Sequence, residues 1–229
     1  CPGCGDFAVL NAITKALAFM ELPREEVALI TGIGCSSRSA AYTSLYGFHG
    51  VHGRALALAS GLKAARPDLT VLVAGGDGDG LSIGGNHFIH ACRRNMDMTN
   101  INKDNEDYGM TKGQASPTTA PDWADIKLTP QGSGVRPLQP AGLALTAGAS
   151  FIARGFTGDP NGLAKILVYT IAFIVQHGQV ILRIRMPLLG SFFIPDSCLH
   201  KILINPVSTV VCRTQRKLCG GIAQFSKWY

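Results

Sequence analysis

The sequence predicts an α/β fold with a mostly parallel sheet covered by helices on both faces. The chain has 229 residues, of which 46% are hydrophobic, and this supplies a sizeable core. Only 16% of the residues are charged and 27 are glycines, which excludes intrinsic disorder and a coiled coil. Short apolar runs that end in glycine alternate with segments of helical periodicity, and this alternation is typical of parallel sheets.

The predicted elements follow one another as strand–loop–helix units. A first helix is predicted between Asp6 and Glu21, where apolar residues recur at helical spacing. The remaining elements, in chain order, are a strand at 27–31, a helix near 54–65, a strand at 69–74, a helix at 83–95, a strand at 98–103 and a helix at 141–153. Asn100, Asn102 and Lys103 are poor residues for a buried strand, which weakens the prediction of the last strand and of its stability. Residues 111–134 are too long for an ordinary connector and predict a functional loop.

Charge is distributed unevenly along the chain. The formal net charge is +6, but residues 1–149 carry 12 basic and 13 acidic residues whereas residues 150–229 carry 9 and 2. The basic residues of the second part are spread among apolar ones, so we do not expect nucleic-acid binding. The longest apolar stretch, residues 166–175, is shorter than the roughly 20 residues that cross a bilayer, so we interpret it as core and expect no membrane partner. Periodicity fades after about Gly162, which predicts one α/β domain at 1–162 and a divergent or frame-shifted tail of uncertain fold at 163–229.

The cysteines predict a reducing compartment and a metal or cluster site. There are seven, an odd number, and Cys1 and Cys4 form a CxxC pair with no export segment before it. We therefore expect a cytoplasmic protein. A zinc knuckle and a thioredoxin-like redox pair are the alternatives. A zinc site of four thiolates usually shows a second CxxC, which is absent here, and a redox CxxC should follow a strand and open a helix. Cys92 occupies an apolar helical position and is predicted to be a core residue.

Three loops that follow predicted strands carry residues suited to chemistry, at 32–38, 75–80 and 104–109. A magnesium ion that bridges a diphosphate needs oxygen ligands, and small residues must let the backbone come close. Asp77 offers a carboxylate, Asn105 an amide oxygen and Asp107 a backbone carbonyl for such an ion. The alternative is a pair of glycine turns with solvated acidic residues. Asp79 either contacts the ligand or caps the next helix.

Five linked motifs follow one another in the first part of the chain. In order they read CPGCG, GIGCSSR, HGRALALASGLK, GGDGDGLSIGGNHFIHACRRN and DNEDYGMTKGQASPTT. This series resembles the β subunit of 2-oxoacid:ferredoxin oxidoreductases, most closely the 2-oxoglutarate type. The resemblance implies a thiamine-diphosphate-binding fold of the diphosphate-binding type, with thiamine diphosphate and Mg²⁺ bound within residues 1–162.

The resemblance also implies roles for individual residues. Asp77, Asn105 and the carbonyl of Asp107 match the magnesium ligands, although the family usually has an apolar residue at position 107. Other positions match the diphosphate cradle or the surroundings of the thiamine ring, and these are Cys35, Ser36, His52, Gly53, Arg54, Gly76, Gly78, Asp79, Gly109 and Met110. His52 is in addition a candidate for proton transfer near the ring, with a structural hydrogen bond as the alternative.

A [4Fe–4S] cluster is a further implication of the resemblance. The family holds it with cysteines that match Cys1, Cys4 and Cys35, together with a fourth late in the chain. Residues 180–190, where the family places that ligand, contain no cysteine, so Cys198 is the nearest candidate.

A 2-oxo acid brings a carboxylate to the cofactor, so a cation is expected nearby. Arg38 and Lys112 are the candidates, and the alternative is that both are ordinary surface charges.

Thiamine catalysis uses a glutamate to activate the cofactor. The four glutamates of this chain are poorly placed for that role, so an α subunit is expected to supply the glutamate. The implied reaction is oxidative decarboxylation of a 2-oxo acid to acyl-coenzyme A and CO₂, with electrons passing through the cluster to ferredoxin. Alternatives are a non-oxidative thiamine-dependent subunit and an inactive structural or zinc-binding partner.

Overall fold

The computed structural model describes residues 4–123, 130–180 and 209–213. Within them the helices are α1 (Asp6–Phe19), α2 (Ala55–Ala65), α3 (Gly85–Arg94), α4 (Pro140–Ala147) and α5 (Pro160–Val180). The strands are β1 (Val27–Thr31), β2 (Tyr46–His49), β3 (Thr70–Gly76), β4 (Thr99–Lys103), β5 (Asp107–Tyr108), β6 (Gln114–Ala115), β7 (Phe151–Gly155) and β8 (Thr209–Arg213). Cys1, Cys198 and most of the predicted tail lie outside the described residues.

The main sheet has the strand order β2–β1–β3–β4–β8–β7. β1 pairs in parallel with both β2 and β3, and β3 pairs in parallel with β4. β8 runs antiparallel to β4 and to β7, so it joins the two parts of the sheet. Because β1, β3 and β4 are parallel neighbours, the loops that leave their carboxyl ends meet at one edge of the sheet, where ligands bind in this class of fold.

Each face of the sheet has its own hydrophobic core. Leu29 and Leu72 pack on one face in a cluster that contains the buried residues of α1 and α5. Ile30 and Val73, their neighbours along the strands, pack on the other face with residues of α2, α3 and α4. Strands covered on both faces are apolar along their whole length, which explains the continuous apolar run of β1.

The predicted fold class and most predicted elements are confirmed. β4 forms where the strand at 98–103 was predicted, and it is buried throughout despite Asn100, Asn102 and Lys103. The helix predicted at 141–153 is wrong in its second half. α4 ends at Ala147 because Gly148 takes a left-handed conformation with φ of 95°, and the chain then enters β7.

Helix α5 crosses the predicted domain boundary at residue 162. It begins at Pro160, and its side chains Leu163, Leu167 and Ile171 are fully buried in the core that α1 shares. The apolar stretch at 166–175 therefore supplies core residues, as predicted. Among the described residues, no helix combines the length and apolar character that a membrane span requires.

Candidate cofactor site

The loops after β1, β3 and β4 enclose a cavity of about 290 Å³, which the start of α1 closes on one side. The structure brings most of the predicted site residues into its wall. Those that line it are Cys4, Cys35, Ser36, His52, Gly76, Asp77, Gly78, Asp79, Asn105, Asp107, Gly109 and Met110. Residues from five separate segments thus meet around one space, as expected for the carboxyl edge of a parallel sheet.

One side of the cavity is acidic. Asp77, directly after β3, is only 2% exposed, and Asp104 and Asp107 come from the loop after β4. Burial raises the pKa of Asp77, and it raises the pKa of Asp104 to about 6, with the nearby Asp77 charge adding to the shift. Burial and the charge of Asp77 likewise raise the pKa of Asp107. These carboxylates are poorly hydrated and repel one another, so a bound cation would stabilise them.

The donor set of this acidic side fits a magnesium ion. Asp77 and Asn105 line the cavity together, and Asp107 Oδ1 is buried without a hydrogen-bond partner. In the described part of the chain, no three His, Cys, Asp or Glu side chains form a metal site by themselves. A cation here would therefore need amide, carbonyl and diphosphate oxygens beside one carboxylate, which is the coordination that magnesium prefers in phosphate sites.

Residues 116–119 pack against the acidic side from the long loop. Thr118 Oγ1 lies 2.8 Å from Asp77 Oδ2 and 2.7 Å from Asp104 Oδ1. Thr119 Oγ1 donates a hydrogen bond of 2.5 Å to the carbonyl of Glu106. The prediction of a functional loop at 111–134 thus receives structural support, but sequence reasoning did not identify Thr118, since nothing in a run of Ser, Pro and Thr shows which hydroxyl turns inward.

Asp79 joins two loops of the site rather than capping a helix. Its Oδ1 accepts hydrogen bonds from the backbone N–H groups of Ile33, at 3.0 Å, and Gly53, at 2.7 Å. His52 Nδ1 lies 2.7 Å from the same oxygen. Because a carboxylate is an acceptor, this contact places the ring hydrogen on Nδ1 and leaves Nε2 as an acceptor. The side chain of His52 is 39% exposed and lines the cavity, so its orientation is fixed while it stays accessible.

Glycines at the strand ends bring the backbone close to neighbouring groups. A β-carbon on Gly76 would lie 2.7 Å from Ser36 Oγ, and one on Gly78 would overlap the ring of Tyr108. Tyr108 donates a hydrogen bond of 3.3 Å to the carbonyl of Gly78. Residues 78–83 form a single π-helical turn before α3, a feature that is frequent at functional sites.

Cys4, Cys35 and a buried lysine line another part of the cavity, which we call its cysteine side. The Nζ of Lys103, at the end of β4, donates a hydrogen bond of 2.5 Å to the carbonyl of Ser36 and lies 3.4 Å from Asp6 Oδ1. Burial lowers the pKa of Lys103, and the Asp6 charge partly opposes that shift. Lys103 is thus a cation of the cavity wall. Sequence reasoning treated it only as an unsuitable strand residue.

Several predicted residues lie elsewhere. Arg38 and Lys112 are exposed and do not line the cavity, which leaves their substrate role a prediction. Gly53 and Arg54 are also not part of its lining, and Arg54 Nη1 donates to the carbonyl of Ile83 at 3.3 Å. Cys92 is buried, which confirms it as a core residue, and burial raises the pKa of its thiol to about 11.

Comparison with known proteins identifies the family of this chain. The family described as "Thiamine pyrophosphate enzyme, C-terminal TPP binding domain" matches residues 32–181, which is more than half of the chain. The 2-oxoglutarate oxidoreductase subunit KorB of Mycobacterium tuberculosis is 52% identical to this chain over 167 residues, which are 73% of this chain and 44% of that protein. The 2-oxoacid:ferredoxin oxidoreductase 2 subunit beta of Aeropyrum pernix is 44% identical over 187 residues, or 82% of this chain and 59% of that protein.

A solved structure is similar as well. The 2-oxoglutarate:ferredoxin oxidoreductase from Magnetococcus marinus, with 2-oxoglutarate, coenzyme A and succinyl-CoA bound, matches with a TM-score of 0.73 and 45% identity over 75% of this chain and 59% of that one. The chain spans about half the length of the curated relatives described above. These matches confirm the resemblance to 2-oxoacid:ferredoxin oxidoreductase β subunits. The protein therefore belongs to the thiamine pyrophosphate enzyme family and carries its C-terminal TPP binding domain.

Proposed function

We propose that this chain is the cofactor-binding part of a 2-oxoacid:ferredoxin oxidoreductase β subunit. In this proposal it takes part in the oxidative decarboxylation of a 2-oxo acid, with 2-oxoglutarate favoured, to acyl-coenzyme A and CO₂, and the electrons pass through a [4Fe–4S] cluster to ferredoxin. The observation that carries the proposal is that Asp77, Asn105 and Asp107 line one cavity together with Cys4 and Cys35. Magnesium ligands and cluster ligands on one wall are what such chemistry requires.

The acidic side of the cavity is proposed to bind the diphosphate through magnesium. Asp77 and Asn105 would supply a carboxylate and an amide oxygen, and Asp107 its carbonyl. The glycines at 76 and 78 let the backbone pack closely against Ser36 and Tyr108 beside the proposed diphosphate position. Bound thiamine diphosphate supplies a ring carbon that can be deprotonated to attack the 2-oxo group and stabilise the charge left when CO₂ departs.

His52 is proposed to hold or accept a proton near the thiamine ring. Its Nδ1 hydrogen is engaged by Asp79, so Nε2 is the atom that is able to exchange a proton. None of the chain's four glutamates lines the cavity in the part of the chain that the structure describes. This supports an α subunit as the source of the glutamate that activates the cofactor.

The cysteine side is proposed to hold the cluster. Cys4 and Cys35 come from segments far apart in sequence, yet both line the cavity. Their proximity to the proposed cofactor site would allow direct electron transfer. Cys1 and Cys198, the other two proposed ligands, lie outside the described residues.

The test is anaerobic co-purification of the full chain with its α subunit, followed by metal and activity analysis of one sample. We expect thiamine diphosphate, magnesium, and iron and acid-labile sulfide at about four each per chain. With 2-oxoglutarate and coenzyme A, the complex should release CO₂ and reduce ferredoxin, and it should do so faster than with pyruvate. Cys35→Ser should lose the iron and the ferredoxin reduction while it keeps thiamine diphosphate.

The other outcomes separate the alternatives. Thiamine diphosphate and CO₂ release without iron would mean a non-oxidative thiamine-dependent subunit. Zinc without thiamine diphosphate would mean a zinc-binding partner, and either result would contradict the proposed electron path.

A further inference from the structure

We infer that Thr118 is a positioning residue for magnesium, because its hydroxyl ties together the two loops that carry the proposed ligands. The inference rests on the magnesium site proposed above and adds a residue from outside the strand-end loops. Thr118 contacts Asp77 directly after β3 and Asp104 in the loop after β4. It therefore lies between the predicted carboxylate ligand and the segment that bears Asn105 and Asp107.

The contact with Asp77 orients the carboxylate. Asp77 and Thr118 are both buried, at 2% and 6% exposure, so water does not substitute for this hydroxyl. A carboxylate is planar, so a fixed position for Oδ2 restricts the whole group. Groups that hydrogen-bond to metal ligands in this way set the orientation of the ligand and the affinity of the site.

The next residue, Thr119, makes a second hydrogen bond to the loop after β4. Thr119 donates to the carbonyl of Glu106, which lies between Asn105 and Asp107 in the chain. Two successive side chains thus hold the loop after β4, while the first of them also holds the end of β3. Residues 116–119 therefore set the spacing between the two sets of ligands.

Residues 116–119 are also held in place by hydrogen bonds within the segment. The backbone N–H of Ser116 donates to Thr119 Oγ1 at 2.7 Å, and the backbone N–H of Thr119 donates to the carbonyl of Ser116 at 3.2 Å. Ser116 Oγ lies 3.1 Å from Thr118 Oγ1, so the hydroxyl of Thr118 is supported from its own loop. Spacing of this kind matters most for Mg²⁺, since its ligands lie at about 2.0–2.1 Å in near-octahedral geometry, whereas Ca²⁺ accepts about 2.3–2.6 Å and flexible geometry.

The test compares Thr118→Val with Thr118→Ser in the full chain, with thiamine diphosphate, Mg²⁺ and Ca²⁺ as the titrated probes. Calorimetry gives the metal concentration that half-saturates thiamine diphosphate binding. We expect Thr118→Val to raise that concentration for Mg²⁺ by about 10- to 100-fold. The rise for Ca²⁺ should be smaller, so the preference for Mg²⁺ falls, and Thr118→Ser should stay close to the wild type.

Thr170→Val is the matched control, because Thr170 is also fully buried and its hydroxyl donates within α5, at 2.8 Å to the carbonyl of Ile166. It should lower thermal stability without changing the metal dependence. If Thr118→Val does not fold, Thr118→Ala takes its place. A folded Thr118→Val or Thr118→Ala variant with unchanged Mg²⁺ half-saturation, or with equal losses for Mg²⁺ and Ca²⁺, would overturn the inference.

Failure of the inference is distinguishable from failure of the proposed function. If the wild-type chain binds no thiamine diphosphate at any metal concentration, the proposed site itself is wrong. If the wild type binds and Asp77→Ala does not, while Thr118→Val behaves like the wild type, only the role of Thr118 is rejected.

Discussion

The acidic side of the cavity, built around Asp77, and its cysteine side, built around Cys4 and Cys35, balance their charges differently. On the acidic side, buried carboxylates face one another and share the hydroxyl of Thr118, which carries a single hydrogen. On the cysteine side, Lys103 is a built-in cation that holds the Ser36 carbonyl and Asp6. A cation from solution would thus stabilise the first side, whereas the second already contains one. This difference is the reason why the proposed Mg²⁺ is assigned to the acidic side and not to the neighbourhood of Lys103.

The largest expected effect is on the acidic side. Asp77→Ala should abolish magnesium-dependent binding of thiamine diphosphate, because it removes the buried carboxylate of the proposed site. Calorimetric titration of the cofactor at saturating Mg²⁺ measures this. Asp68→Ala, at an exposed ion pair with Arg66, is the control and should bind normally. Equal affinities of the two variants for thiamine diphosphate would show that Asp77 is not a metal ligand.

Asp79, in the turn after β3, holds the loop after β1 and the turn before α2. Asp79→Ala leaves the N–H groups of Ile33 and Gly53 without their acceptor and should lower the free energy of unfolding by roughly 2 to 5 kcal/mol. Urea denaturation measures the loss, and Asp79→Asn should recover part of it, since its amide oxygen still accepts. A loss as small as that of Asp68→Ala would contradict this role.

Asp104 should make the metal-free protein less stable as the pH rises. Its pKa in the fold is about 6, above the usual value of 3.8, because burial disfavours the charged form. The stabilisation from its neutral form is therefore complete below pH 3.8 and is lost as the pH rises through about 6. Asp104→Asn should gain stability over the wild type between pH 4.5 and 7.5, by at most about 3 kcal/mol.

Denaturant unfolding in the presence of EDTA at the two pH values tests this expectation. Added Mg²⁺ should reduce the difference at pH 7.5, because the cation then compensates the charge of the acidic side. A stability difference that is the same at both pH values would show that Asp104 does not titrate in this range.

The smallest expected effect lies on the cysteine side. Lys103→Met leaves Asp6, which is 21% exposed, without its cation. The free energy of unfolding should fall by only about 1 to 2 kcal/mol, because Asp6 is partly hydrated and burial already disfavours the charge of Lys103. The double variant with Asp6→Asn should recover most of that loss, since both charges are then gone. Thermal melts of the single and double variants measure the coupling. Additive losses would indicate that Lys103 and Asp6 do not interact.

The three central parallel strands β1, β3 and β4 are predictable from the sequence, whereas the exposed parallel edge strand β2 and the antiparallel strands β7 and β8 were not predicted. β1 and β3 are short apolar runs closed by glycine. Asp77 after β3 and Asn105 after β4 indicate the chemistry of the loops at these strand ends. β8 pairs with β4 across more than a hundred residues, and no local periodicity encodes such a pairing. β7 was mistaken for helix because the break depends on the left-handed conformation of Gly148.

The candidate site was predictable to a similar extent. Motif residues at strand ends converge because the topology brings those ends together. Thr118 was missed because its contact with Asp77 spans 41 residues and depends on how an irregular loop folds. Lys103 was interpreted as a defect of β4, because a lone polar residue in a strand carries no sign that a cavity lies beside it.

The most direct test of the central claim is a crystal structure of the full chain with thiamine diphosphate and Mn²⁺, which substitutes for Mg²⁺ and gives an anomalous signal. Data collected between the Mn and Fe absorption edges distinguish Mn²⁺ from the iron of the proposed cluster. In these data we expect a manganese peak within ligand distance of the Asp77 carboxylate, the Asn105 amide oxygen and the Asp107 carbonyl, with the diphosphate beside it. A manganese peak at the cysteine side near Lys103, or cofactor density without metal at Asp77, would contradict the assignment of this cavity as a magnesium-dependent thiamine diphosphate site.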